Sequence, residues 1–263
     1  SNHLGSAVSL AGRFELLFSI FVKGERPTGS SDPYALKRAA NGIFLILWDN
    51  DWQLNINEII NNSLVYWNKI FPLIDFDISS LSCDLQEFFR QRIISLLEEK
   101  EIDFDIIQAI AGDTTPTSLL LDDPSDVNFR ALLLMDMRKN NTLDLLQAVV
   151  TRASKLAIKS SISLDEVDPA RFVDKSLFEK DCELQMFNVL EKLKPLAKKG
   201  DRKKYKLLAD GLVLSSGILS NFFDGEGSVM VMTDNNNLRN NRINLLSILR
   251  NQSLILSDFS KLI

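Results

Sequence analysis

The sequence predicts an all-α fold, a helical bundle, and three observations carry that reading. Apolar residues recur at helical spacing along almost the whole chain. Asp-Pro pairs, which mark helix starts, occur at Asp32-Pro33, Asp123-Pro124 and Asp168-Pro169. Strand-like alternation is scarce, with Val229-Met230-Val231-Met232 the one short run of that kind.

Taken in chain order, Leu10, Phe14, Leu17, Phe18 and Phe21 share one helical face, and Gly24 follows as a stop. Leu36, Ala39, Ala40, Ile43 and Leu47 repeat the pattern after Asp32-Pro33. Leu85, Phe88, Phe89, Ile93, Leu96 and Leu97 form a third such face. Leu146, Val149, Val150, Ala153, Leu156 and Ala157 form another behind a cap at Thr142, and Ile243, Leu246, Leu249, Leu256 and Phe259 form the last behind Asp234. In each Asp-Pro pair the carboxylate accepts orphan N–H groups, and proline at the first helical position gives up no bond it needed. The string Gly112-Asp113-Thr114-Thr115-Pro116-Thr117 reads as a domain boundary and Ser160-Ser161-Ile162-Ser163 as a hinge. No repeat of 20–50 residues is evident, which argues against a solenoid.

At 263 residues the chain suits one large or two ordinary domains. Its 45% hydrophobic and 25% charged residues exclude wholesale disorder. Two cysteines, Cys83 and Cys182, exclude a disulfide framework and predict a reducing, cytoplasmic compartment. No apolar run reaches the ~20 residues that span a bilayer, so no membrane is expected. The single histidine, His3, lies in residues 1–6, which read as a cloning scar. Without it the chain has no imidazole for a Ser–His or Cys–His pair or a histidine-bearing zinc site. No catalytic or metal-ligating residue is therefore assigned, and a complete hydrolase is not expected. The start inside an amphipathic helix predicts a piece of a longer polypeptide. The twenty asparagines need no more explanation than a compositional bias.

Charge is unevenly placed. Residues 92–126 hold nine acids and two bases, most simply a solvated helical face. Residues 192–206 hold eight bases and one acid, around Lys198-Lys199-Gly200-Asp201-Arg202-Lys203-Lys204. That cluster suits phosphate neutralisation, and it equally suits a soluble turn between two helices. Phosphate-cradling loops are missing: Gly225-Glu226-Gly227 lacks a strand–helix setting and reads as a tight turn. Asp103/Asp105 and Asp122/Asp123 sit at expected solvent-facing or capping positions, and Asp181 and Glu183 would raise rather than lower the pKa of Cys182.

Three stretches go further. Residues 24–42, GERPTGSSDPYALKRAANG, closely resemble a G-x-x-P-T-G-S-x-D-P-[FY]-A-L-[RK]-R-A-A-x-G stretch of the bacterial glycyl-tRNA synthetase beta subunit family. Val167-Asp168-Pro169-Ala170-Arg171-Phe172 resembles that family's V-D-P-A-x-F. Phe222-Phe223-Asp224-Gly225, Val229–Met232, Leu238-Arg239-Asn240-Asn241-Arg242 and Ser257-Asp258-Phe259-Ser260 resemble its C-terminal signature. The sequence departs from the family in the inserted Glu226-Gly227-Ser228 and in lacking an Asp-Ala-Leu-Arg signature in residues 150–263.

The resemblance implies the end of an HD-type helical domain with linking helices over residues 7–112. It implies a DALR-like anticodon-binding helical bundle over 118–263. It implies partners, tRNA(Gly) and the alpha subunit of an alpha2beta2 enzyme, and it places ATP and Mg in the alpha subunit, with no cofactor in this chain. Under that reading Lys198, Lys199, Arg202, Lys203 and Lys204 are the candidate phosphate contacts, and Arg239 and Arg250 extend a basic stripe. Arg242 is left with two readings, RNA contact or an ion pair with Asp224 that pins the intervening loop. Tyr205 is likewise divided between base stacking and bundle core. Asp32 reads as a cap, and Thr28-Gly29-Ser30 as a structural turn or a phosphate contact. The rival function is a structural and assembly module whose RNA contacts lie elsewhere.

Overall fold

The computed structural model describes residues 3–28 and 31–263, and the stretches of helical periodicity form helices in it. Twelve α-helices and no strand occur among the described residues, so the fold is all-α. Two compact units divide the chain, Ser1–Ala131 and Leu132–Ile263.

The first unit begins with α1 (His3–Val22), which packs along α2 (Leu36–Asn50). Its predicted face is buried: Leu10, Phe14, Leu17, Phe18 and Phe21 are all at most 7% exposed. Gly24 stops it at φ +84, a left-handed conformation that costs glycine little. α3 (Ile56–Ile70) and α4 (Ile78–Glu99) complete the core, with Phe89 of α4 edge-on to both Phe14 and Phe44. The expectation that no segment approaches membrane-spanning length needs correcting for α1. It is 20 residues long, and an 18-residue window has mean hydropathy 1.4, long and apolar enough to cross a bilayer. Its apolarity has a local explanation in the face packed on α2 and α4.

The loop at 112–117 lies inside the first unit and is not its edge. The cause is Arg90 of α4, 7% exposed, which donates to Ala111 O at 3.2 Å and to Thr115 O and Thr117 Oγ1 at 3.3 Å. One guanidinium thus satisfies backbone carbonyls on both sides of the loop, joining α5 (Phe104–Ala111) to α6 (Thr117–Asp122). α6 then packs on α3 and α4 through Leu120 and Leu121. The division between units falls within α7 (Pro124–Lys139). Residues 3–6, expected to lie outside the fold, form the first turn of α1.

Of the three Asp-Pro pairs, one behaves as predicted. Asp123 Oδ1 accepts from Ser125 N and Asp126 N at 3.1 and 3.2 Å, and Pro124 opens α7. Asp32 also caps, accepting from Leu36 N at 2.7 Å and Lys37 N at 3.0 Å, yet Pro33 sits in a turn ahead of the helix. Asp168 caps only a 3-10 turn, Pro169–Arg171. Asp105 is buried and not solvent-facing. The turn expected at Thr28-Gly29-Ser30 includes residues 29 and 30, which lie outside the described residues.

The second unit is built around α12 (Asn236–Leu254), which packs on α8 (Leu143–Ala157) and α9 (Asp181–Leu193). Its cap is Asn235, one residue after the predicted Asp234. Leu245, Leu246, Ile248 and Leu249 are fully buried on successive faces, so α12 is a central element with no solvent side over that stretch. Val229–Met232 forms no strand; Val229 N donates to Phe222 O at 3.2 Å to close a loop. α10 (Arg202–Leu214) and α11 (Ser216–Asn221) complete the unit.

Candidate nucleic-acid interface

The basic segment runs from the end of α9 through residues 194–201 into α10. Two contacts fix its shape. Gly200 takes φ +79, and its N–H donates to Tyr205 Oη at 2.7 Å. Tyr205 is fully buried, so the phenol ties the turn to the core and its ring is not offered for stacking. Lys198, Lys199, Lys203 and Lys206 remain exposed. Lys204 stands 3.5 Å from Asp201, and Arg202 is half-buried, with its pKa lowered by that burial. Lys194 is engaged elsewhere, donating to Asp168 at 2.6 Å, a bond that raises its pKa.

Electrostatics sharpen the arrangement. Arg202, Lys203 and Lys204 fill the first turn of α10, where the helix dipole is already positive. Each cation there is unfavourable for the helix by about 0.3–1 kcal/mol. No acid stands in that turn, and the cap residue Asp201 makes no side-chain capping bond. The result is a corner of positive potential that an anion would relieve.

The three arginines of α12 have other work. Arg242 is 3% exposed and donates from Nε to Glu183 Oε1 at 2.8 Å, from Nη2 to Glu179 Oε2 at 3.0 Å and from Nη1 to Met230 O at 3.0 Å. Burial pulls its pKa down, and the bonds and charges of Glu183 and Glu179 outweigh that, leaving it raised. Glu183, itself fully buried, also accepts from Glu179 N and Lys180 N at the start of α9. Arg242 therefore leaves the list of RNA contacts, because its guanidinium is enclosed and fully committed. The expected ion pair exists with different partners: Asp224 pairs with Arg152 at 2.8 Å. Arg250 donates to Ala157 O at the end of α8, and burial lowers its pKa. Arg239 donates to Thr233 O and Asn236 Oδ1. Neither forms a free basic stripe.

Sequence reasoning missed the role of the asparagines. Asn241 accepts from Asp174 N at 2.8 Å and donates to Asp174 O at 2.9 Å. Asn244 donates to Phe172 O, and Asn251 to Ser163 O and Glu166 O. Gln252 bridges Val167 O and Leu190 O. These amides from α12 satisfy the backbone of residues 163–174, which makes little secondary structure of its own. The signal was available as amides at 241, 244, 251 and 252, nearly one helical face, within the last helix.

A second concavity in this unit, of about 610 Å³, is lined by Glu179, Lys180, Asp181, Cys182, Asp224 and Glu226 among others. Four carboxylates against one ammonium make it unsuited to phosphate. Burial first, then Glu183, raises the pKa of Cys182, so its thiol is not activated. The inserted Glu226-Gly227-Ser228 closes as a turn, with Ser228 N donating to Gly225 O and Lys180 Nζ to Ser228 O. No group of three metal-ligating side chains converges among the described residues.

Comparison with known proteins follows the same lines. Residues 1–112 match the sequence model of the glycyl-tRNA synthetase beta subunit family. Over 98% of its length the chain is 38% identical to the glycine--tRNA ligase beta subunit of Gloeothece citriformis and 35% identical to that of Trichodesmium erythraeum. Over 99% it is 36% identical to that of Acaryochloris marina. The chain spans about 36% of the length of these curated relatives. Along nearly its whole length, with an all-α fold and the three motif stretches in order, this chain is similar to the glycyl-tRNA synthetase beta subunit family.

Proposed function

We propose that this chain is a tRNA-recognising part of a glycine–tRNA ligase beta subunit and grips tRNA(Gly) through the basic corner at the start of α10. The catalytic alpha subunit, using ATP and Mg, would supply the chemistry in the cytoplasm, and this chain would make no bonds itself. The observation that carries the reading is the exposed set Lys198, Lys199 and Lys203 at the positive end of α10, in a chain similar to this family. Affinity from such a site comes mainly from counterion release. A mobility-shift titration of the chain with tRNA(Gly) at 50 and 200 mM KCl tests it. Binding that weakens steeply with salt is the expected result. Tight binding indifferent to salt, or none, would refute it.

A second reading, an assembly module, has its own support in the first unit. Val65 and Tyr66 on α3 are 59% and 62% exposed, and Leu73 just beyond it is 98% exposed. Such an apolar face suits protein contact better than RNA. The same titration separates the readings, since the assembly module alone predicts no shift.

A further inference from the structure

We propose that a groove between α1 and α2, formed by Arg13, Lys37 and Arg38 around Gly42, is a separate site for the phosphodiester backbone of RNA. It deepens the reading above and rests on it. The groove measures about 630 Å³, and its charged lining is Arg13, Asp32, Lys37 and Arg38.

Three features make it more than a scatter of surface charge. Arg13 is held in place: its Nε donates to Ser9 Oγ at 3.2 Å, and its guanidinium lies on the bare backbone of α2 at Gly42. A Cβ at Gly42 would stand 2.5 Å from Arg13 Nη1 and 2.6 Å from Cζ, so a side chain there would push the guanidinium away. Neither Arg13 nor Arg38 has a carboxylate partner among the described residues. The one acid in the groove, Asp32, already accepts from Leu36 N and Lys37 N, so it is occupied with its helix. Arg13 and Arg38 thus stand beside one carboxylate that is already engaged. An arginine positioned without a counter-ion matches the fork geometry of a phosphate.

Phosphodiester is favoured over an acidic peptide by the neighbouring turn. Tyr34, on the Asp32–Ala35 turn that opens α2, is 45% exposed. Cations with an exposed aromatic ring are the pairing that single-stranded and looped RNA uses.

The test is fluorescence anisotropy of labelled tRNA(Gly) with the 263-residue chain between 50 and 300 mM KCl. Arg13→Gln/Arg38→Gln should make the plot of log affinity against log salt shallower by about 1.5, since each lost phosphate contact removes about 0.7–0.9. Gly42→Ala should shift it in the same direction by less, because it displaces a charge without removing one. Arg38→Gln alone, at an exposed residue, should lower the slope by about half as much and keeps the test valid if the double variant unfolds. An unchanged slope in these variants, while Lys203→Glu/Lys204→Glu weakens binding, would overturn the groove and leave the α10 site standing. Failure of the unaltered chain to bind would overturn the RNA reading itself. Displacement by polyglutamate as efficient as by unlabelled tRNA would assign the groove to acidic protein segments and overturn the proposal.

Discussion

Single residues carry unequal weight here, and their neighbours say why. Asp32 holds two backbone N–H groups at the start of α2, so Asp32→Ala should destabilise the chain by about 1–2 kcal/mol in urea unfolding. Arg242→Met removes one partner of an enclosed ion pair and leaves Glu183 buried with an uncompensated charge; a loss of about 3–5 kcal/mol is expected. Asp123 shows the opposite sign. Burial first, and then the charge of Asp126, raise its pKa against the pull of its capping bonds and Arg130. A carboxyl whose folded pKa lies above its unfolded value favours the fold while protonated, and that contribution is lost as pH rises through the folded value. Asp123→Asn keeps a good cap and removes the titration. Denaturant midpoints of the variant should therefore fall less than those of the parent chain as pH rises from 4 through the raised carboxyl range. A steeper fall would contradict the assignment.

At the scale of elements, helix existence was legible and helix partnership was not. The 3.6-residue spacing of Leu10, Phe14, Leu17 and Phe21 was enough to predict α1 and its buried face, because apolar periodicity is local information. The Gly112–Thr117 string looked like a boundary because composition records only that a loop exists. What places it inside a unit is Arg90, more than twenty residues earlier in the chain. In the same way the arginines of α12 looked like a basic stripe, since sequence does not show that Glu183 and Glu179 stand opposite Arg242. The lysines near residue 200 were read correctly as an exposed cluster, because adjacent cations cannot all be buried. Under the proposed function, the element that matters most for binding is the first turn of α10. Lys203→Glu should stabilise that helix by about 0.3–1 kcal/mol, raising the melting temperature slightly, because an acid there complements the dipole. A residue kept for folding alone would show the reverse.

For the whole molecule, the net charge of −5 would seem to disfavour a polyanion, and the resolution lies in distribution. Acids between residues 92 and 126 include members with internal duties, such as Asp122 accepting from Asn57 and Asp126 paired with Arg130. Four exposed lysines, Lys198, Lys199, Lys203 and Lys206, crowd the α10 corner, and Arg38 is exposed in the groove over Gly42. At short range those local fields outweigh the overall charge, since a Debye length of about 8 Å screens the rest. The most direct measurement is the affinity of the Lys203→Glu/Lys204→Glu chain for tRNA(Gly) across a salt series, read beside its melting temperature. The account predicts binding at least about tenfold weaker at 100 mM KCl, with a salt slope shallower by about 1.5 and no loss of thermal stability. Unchanged affinity and slope in a fully folded variant would contradict it.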